Sequence, residues 1–183
     1  MTTKTPIDTL IEEVLAREGG FVDHPADRGG PTRWGFTQAV ARANGYDGPM
    51  RSLPRDVAAD IYRRLYWKRP RFDAVATRAP ALAAELFDTG INMGPRVATG
   101  FLQRALNALN RGATDYADLR VDGAVGPATL AALDAFLASR GTLGEAVLVK
   151  ACDALQGARY LDLAEQRPAN EAFLYGWLAN RIG

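Results

Sequence analysis

The sequence predicts a mainly α-helical fold with one short irregular hairpin or loop region after the first helix. Three observations carry that expectation. Apolar residues recur at three- and four-residue intervals in a series of separate segments. Several of these segments open on proline and close on glycine or asparagine, the asymmetry of helix ends. Residues 19–37 interrupt the pattern with clustered glycine, proline and aspartate.

The first helix starts after Thr5, with Pro6 at the first helical position, where its missing N–H costs nothing. Ile7, Leu10, Ile11, Val14 and Leu15 form its inward stripe. Glu18 continues the series 7, 11, 14, 18 and so falls on the apolar face, away from Glu12, Glu13 and Arg17. Gly19-Gly20 stops the helix. Asp23-His24-Pro25-Ala26-Asp27 and Arg28-Gly29-Gly30-Pro31 read as turns. Thr37 caps a short helix through Ala43, closed by Asn44-Gly45.

The next helix runs from Pro54 to Trp67 with Val57, Ile61 and Leu65 inward, and Pro70 ends it. A helix over 80–89 follows. Another begins at Gly94-Pro95, with Val97, Phe101, Leu102, Ala105, Leu106 and Leu109 as its stripe. Asp122-Gly123 and Gly126-Pro127 mark a loop, or a small hairpin, within 111–126. Helices are expected over 127–139, over 143–165 and from Pro168, the last burying Phe173, Leu174, Trp177 and Leu178.

Composition bounds the function. Hydrophobic residues make up 48% and charged residues 23%, which suits a globular chain able to build a core without metal or disulfide staples. A formal net charge of +1 argues against a strongly basic nucleic-acid binder. Residues 51–80 carry eight Lys and Arg against three Asp, either a solvated basic face or a patch for an anionic polymer. The lone Cys152 excludes an intrachain disulfide and reads as a buried, inert thiol. One Cys and one His, His24, give no zinc spacing, and the Asp23–Asp27 segment lacks the residue order of a calcium loop. No cofactor or metal is therefore expected. No signal-peptide pattern is visible before the first helix, so none is expected, and no run approaches the roughly 18 apolar residues of a membrane span. The expectation is a monomer made in the cytoplasm that reaches any outer target by release or export.

The residues with chemistry cluster early. Glu18 closes an apolar stripe, where desolvation would raise a carboxyl pKa and hold the acid form that a general acid needs. Asp27 follows nine positions later, Thr32 five after that, and Thr37 a further five. Cleaving a glycosidic bond needs an acid on the leaving oxygen and a second group that handles water or the oxocarbenium charge. An ionised Asp27 beside a hydroxyl meets the second need. Glycines such as Gly30 let backbone approach a bulky sugar, and Trp34 in the same loop is a candidate stacking surface. Tyr62, Tyr66 and Trp67, at helical spacing, read as core. Glu85 and Asp88-Thr89, near Asn92, read as the surface of a helix end, with the opposite wall of a cleft as the alternative.

Glu18-Gly-Gly-Phe, followed by Asp27-x-Gly-Gly-x-Thr32-x-x-Gly-Phe-Thr37, resembles the signature of glycoside hydrolase family 108, the secretion-activator-like N-acetylmuramidases of phages and bacteria. The resemblance implies Glu18 as the catalytic acid and peptidoglycan as the substrate. The Glu, Asp, Thr order also resembles the triad of phage-type lysozymes, which assigns the attacking water to Asp27 and Thr32, with Thr37 the competing hydroxyl. Asn92-Met93-Gly94, Phe101-Leu102-Gln103, Asp122-Gly123-x-x-Gly126-Pro127-x-Thr129-Leu130 and Phe173-x-x-Gly176-Trp177-x-x-Arg181 resemble that family's companion segment, a predicted peptidoglycan-binding domain. Together these imply a lysozyme-like two-lobed fold, with a catalytic lobe over 1–90 and a helical lobe over 91–183. The runner-up is a non-catalytic peptidoglycan-binding or secretion-accessory protein.

Overall fold

The computed structural model describes residues 5–23 and 30–182, and the chain divides into two compact units, Met1–Lys68 and Arg69–Gly183. It is mainly α with one small two-stranded sheet after the first helix, as expected. Among the described residues, no helix is long and apolar enough to cross a membrane.

In the first unit, helix α1 spans Pro6–Glu18. Thr5 and Asp8 close a capping box: the Thr5 N–H and hydroxyl both reach Asp8 Oδ2, at 2.8 and 2.7 Å. Those hydrogen bonds, with help from Arg63, hold the Asp8 carboxyl down at about 2. Ile11, Val14 and Leu15 are buried against α3, Arg55–Tyr62. Each such side chain contributes roughly 1.5–3 kcal/mol of hydrophobic stabilisation. Two ion pairs reinforce the packing, Arg55 to Glu12 at 2.6 Å and Arg63 to Asp8 at 2.7 Å.

The strands are β1, Thr32–Arg33, and β2, Phe36–Thr37, with Thr32 opposite Thr37 and Arg33 opposite Phe36. Val22 adds a third rung by exchanging both backbone hydrogen bonds with Thr32, at 2.9 and 2.8 Å. Helix α2, Gln38–Ala43, follows at once, its N-terminus capped by the Thr37 hydroxyl as expected.

The expected helix from Pro54 to Trp67 is two elements. Helix α3 stops at Tyr62 and a π-helical segment, Arg63–Lys68, continues. The buried residues are Ala58, Ile61 and Tyr62 of the α-helix and Trp67 of the wider segment; Val57 and Leu65 are only half-buried.

The second unit begins with α4, Phe72–Ala76, a helix that its short apolar spacing did not announce. Helix α5, Pro80–Met93, packs on α4, on α6 (Pro95–Ala108) and on α8 (Gly144–Gln166); α7 is Pro127–Arg140. Phe72, Leu82, Leu86, Leu102, Leu106, Leu133 and Phe136 fill the core. Cys152 is buried, which pushes its thiol up to about 12 and keeps it inert, as expected.

Residues 111–126 form no strand. Side-chain amides take the place of a ladder partner: Asn110 donates to Tyr116 O and accepts from the N–H groups of Asp115 and Tyr116. Asn107 does the same with Leu119, and Gln103 bonds Asp122, Ala124 O and the Gly123 N–H.

Helix α9, Glu171–Arg181, departs from expectation. None of its residues is fully buried, and Phe173 is 59% exposed. Trp177 stacks on Tyr160 at 5.2 Å, so the helix is held by half-buried aromatic contacts rather than by insertion into the core.

Candidate active site

Glu18 is the last residue of α1. Beyond it Gly19 turns the chain at φ 76°, a left-handed value open to glycine. The side chain is exposed, not buried as its register predicts. The reason is positional: Val14 and Leu15 already fill the core, and Glu18 extends past it at the helix end.

One flank of Glu18 nevertheless meets protein. The β1–β2 turn is Trp34-Gly35, with φ of 53° and 77°, the two positive values of a primed two-residue hairpin turn. A methyl group on Gly35 would lie 3.1 Å from Cγ and 3.2 Å from Oε2 of Glu18, and 2.5 Å from the Tyr62 hydroxyl oxygen. No side chain fits there. The Glu18 carboxyl therefore borders the space that a side chain at position 35 would take, while the residue as a whole is exposed.

Tyr62 lies behind this contact. It is buried, donates its hydroxyl to Trp34 O at 3.0 Å, and packs its ring on Phe36 at 4.4 Å and Tyr66 at 5.7 Å. Burial and then the charge of Glu18 push both phenols above their ordinary value, so both stay neutral. The tyrosines were legible only as core aromatics; their i, i+4 spacing was the signal, and the hairpin contact was not in the spacing.

Trp34 is half-buried, and its indole N–H donates to Leu53 O at 3.1 Å. Arg33 and Arg55 lie over its ring, at 5.3 and 5.2 Å, so a sugar reaching it would meet cations together with the ring. Thr32 is half-buried, and among the described residues its hydroxyl makes only a long contact of 3.5 Å to Val22 O. The Thr37 hydroxyl accepts the Val40 N–H at 3.3 Å and is committed to capping α2. Gly30 has φ 72°, and among the described residues nothing lies within 4 Å of where a Cβ would sit. Asp27 and His24 lie outside the described residues. The structure thus brings Glu18, Gly35, Tyr62 and the Trp34 carbonyl together, and places Thr32 and Thr37 opposite one another on the hairpin.

The basic run over 51–80 is partly neutralised: Arg55, Arg63 and Arg78 each pair with a carboxylate. Glu85 and Thr89 are not a helix surface. Thr89 is buried, with its hydroxyl 2.9 Å from Glu85 Oε1 and 3.0 Å from Gln156 Oε1. Burial and the neighbouring Asp153 push the Glu85 carboxyl up to about 7. Among the described residues, no group of His, Cys, Asp and Glu could hold a metal ion.

Residues 11–94 match the family model described as glycosyl hydrolase 108, and residues 97–182 match the model described as a predicted peptidoglycan domain. SagA of Brucella abortus is similar in structure, with a TM-score of 0.67 at 24% identity over 94% of this chain and 87% of its own, a likeness of fold. No curated protein matches the chain. Residues 11–94 are thus similar to the glycosyl hydrolase 108 family, and the following segment, residues 97–182, to the predicted peptidoglycan domain family.

Proposed function

We propose that this chain is a muramidase that hydrolyses the β-1,4 bond between N-acetylmuramic acid and N-acetylglucosamine in bacterial peptidoglycan, acting without a metal after release or export. The observation that carries the reading is the placement of Glu18. Its carboxyl borders the Trp34-Gly35 turn on an exposed residue, inside the glycosyl hydrolase match. A glycan strand covering it would dehydrate the carboxyl when the acid is needed.

In the proposed reaction Glu18 gives its proton to the glycosidic oxygen as the bond from that oxygen to C1 of N-acetylmuramic acid breaks. Water held by Asp27 and Thr32 attacks C1 from the opposite face and passes its proton to Asp27. This route inverts the anomeric configuration. The commitment of Thr37 to the α2 cap supports Thr32 as the water-binding hydroxyl. The predicted peptidoglycan domain supports the choice of polymer, with residues 97–182 holding the wall while the first segment cuts.

The test is digestion of purified peptidoglycan by wild type and Glu18→Gln, with products identified by mass spectrometry. Muropeptides ending in reducing N-acetylmuramic acid, absent with the variant, are the expected result. Sedimentation with the wall and no released sugar would instead mark a binding protein.

A further inference from the structure

Taking Glu18 as the acid, as proposed above, we infer that Tyr62 is a positioning residue for it, acting through the Trp34-Gly35 turn. Tyr62 sits at the end of α3, where the helix widens into the π-helical segment, a geometry that recurs at functional sites. Phe36 and Tyr66 fix its ring, and burial leaves the hydroxyl one polar task, donation to Trp34 O.

That acceptor belongs to a strained residue. Trp34 holds φ 53°, an uncommon value for a bulky side chain, and such a conformation persists only where its surroundings over-determine it. Here the indole is tied to Leu53 and the carbonyl to Tyr62. The tie on the carbonyl fixes the peptide plane that leads into Gly35. Gly35 is the residue whose missing side chain leaves the space that the Glu18 carboxyl borders.

The direction of the hydrogen bond matters. A phenol has one proton, and that of Tyr62 is given to Trp34. Tyr62 therefore presents Glu18 with oxygen lone pairs and does not capture the carboxylate in a hydrogen bond. It limits where the carboxyl can go and leaves the acid free to face the substrate. Tyr62 does not touch the reacting atoms in this account.

Tyr62→Phe is the test, because it removes one hydroxyl and keeps the ring packing. Tyr46→Phe is its control. The Tyr46 hydroxyl makes the same kind of bond, to Pro49 O at 2.9 Å, in the same unit. With soluble glycan fragments, Tyr62→Phe is expected to lower kcat about tenfold with KM within about twofold, while Tyr46→Phe keeps both. A folded Tyr62→Phe enzyme with wild-type kcat would overturn the inference. So would equal losses of kcat in the two variants, which would mark a general structural effect. Should Tyr62→Phe not fold, Gly35→Ala tests the turn through which Tyr62 acts, with lost kcat expected and retained kcat contradicting the inference. Glu18→Gln run in parallel separates the two claims. If it stays active, the acid assignment fails; if it is dead while folded Tyr62→Phe is fully active, only the positioning role fails.

Discussion

Tyr62 donates its hydroxyl proton to the carbonyl of Trp34 at 3.0 Å, joining the end of α3 to the tip of the hairpin. The bond accounts for how a tryptophan is kept at φ 53° and why the next residue is glycine. Space and conformation both demand glycine at 35.

Gly35→Ala is expected to destabilise the protein by about 1–3 kcal/mol, since φ is 77° and the new methyl would meet the Tyr62 hydroxyl oxygen at 2.5 Å. Activity should fall further than stability explains, because the same methyl would displace the Glu18 carboxyl. Chemical denaturation and turnover on peptidoglycan, measured on one preparation, check both parts.

The two threonines should separate by their failures. Thr37→Ala removes the cap on α2 and is expected to cost about 1 kcal/mol. Thr32→Val keeps the β-branched shape and, among the described residues, loses only a 3.5 Å contact, so stability should hold while activity falls at least about tenfold. Melting temperatures set beside rates decide the point. A stable, fully active Thr32→Val would move the water site elsewhere.

Glu85 gives the second unit a pH dependence. Its carboxyl is raised to about 7 in the fold, against an ordinary value of 4.5. The folded state then holds a proton that the unfolded chain has lost between those values. The stability contribution is full below pH 4.5 and disappears as pH rises through 7. Asp153 and Asp88 face it with like charge, and Thr89 bonds it. Glu85→Gln should therefore gain stability above pH 7, by about 2 kcal/mol, and show a flatter profile from pH 4.5 to 7. Thermal melts across that range, wild type against variant, test the sign.

Much of this was legible in the sequence, for local reasons. Pro6, Pro80, Pro95 and Pro127 each open a helix, and Gly19 closes the first, because these residues act on their own backbone. Thr37 was readable as a cap for the same reason. What escaped depends on contacts far apart in the chain. Glu18 lies in the expected register yet is exposed, since register does not say where a core ends. The hydrogen bond of Tyr62 to Trp34 joins residues 28 apart, and no spacing rule encodes it. The choice between Thr32 and Thr37 stayed open because strand pairing sets them opposite each other, as five-residue spacing around a two-residue turn requires. Phe173 and Trp177 have the period of a buried stripe, but that period also serves a helix resting on the surface of α8.

The central claim is that Glu18 protonates the leaving sugar oxygen. The most direct measurement is mass spectrometry of peptidoglycan digests made with wild type and with folded Glu18→Gln. Reducing N-acetylmuramic acid ends from wild type, and a loss of about 100-fold or more with the variant, are the predicted result. Near-wild-type release by Glu18→Gln, or reducing ends on N-acetylglucosamine, would contradict it.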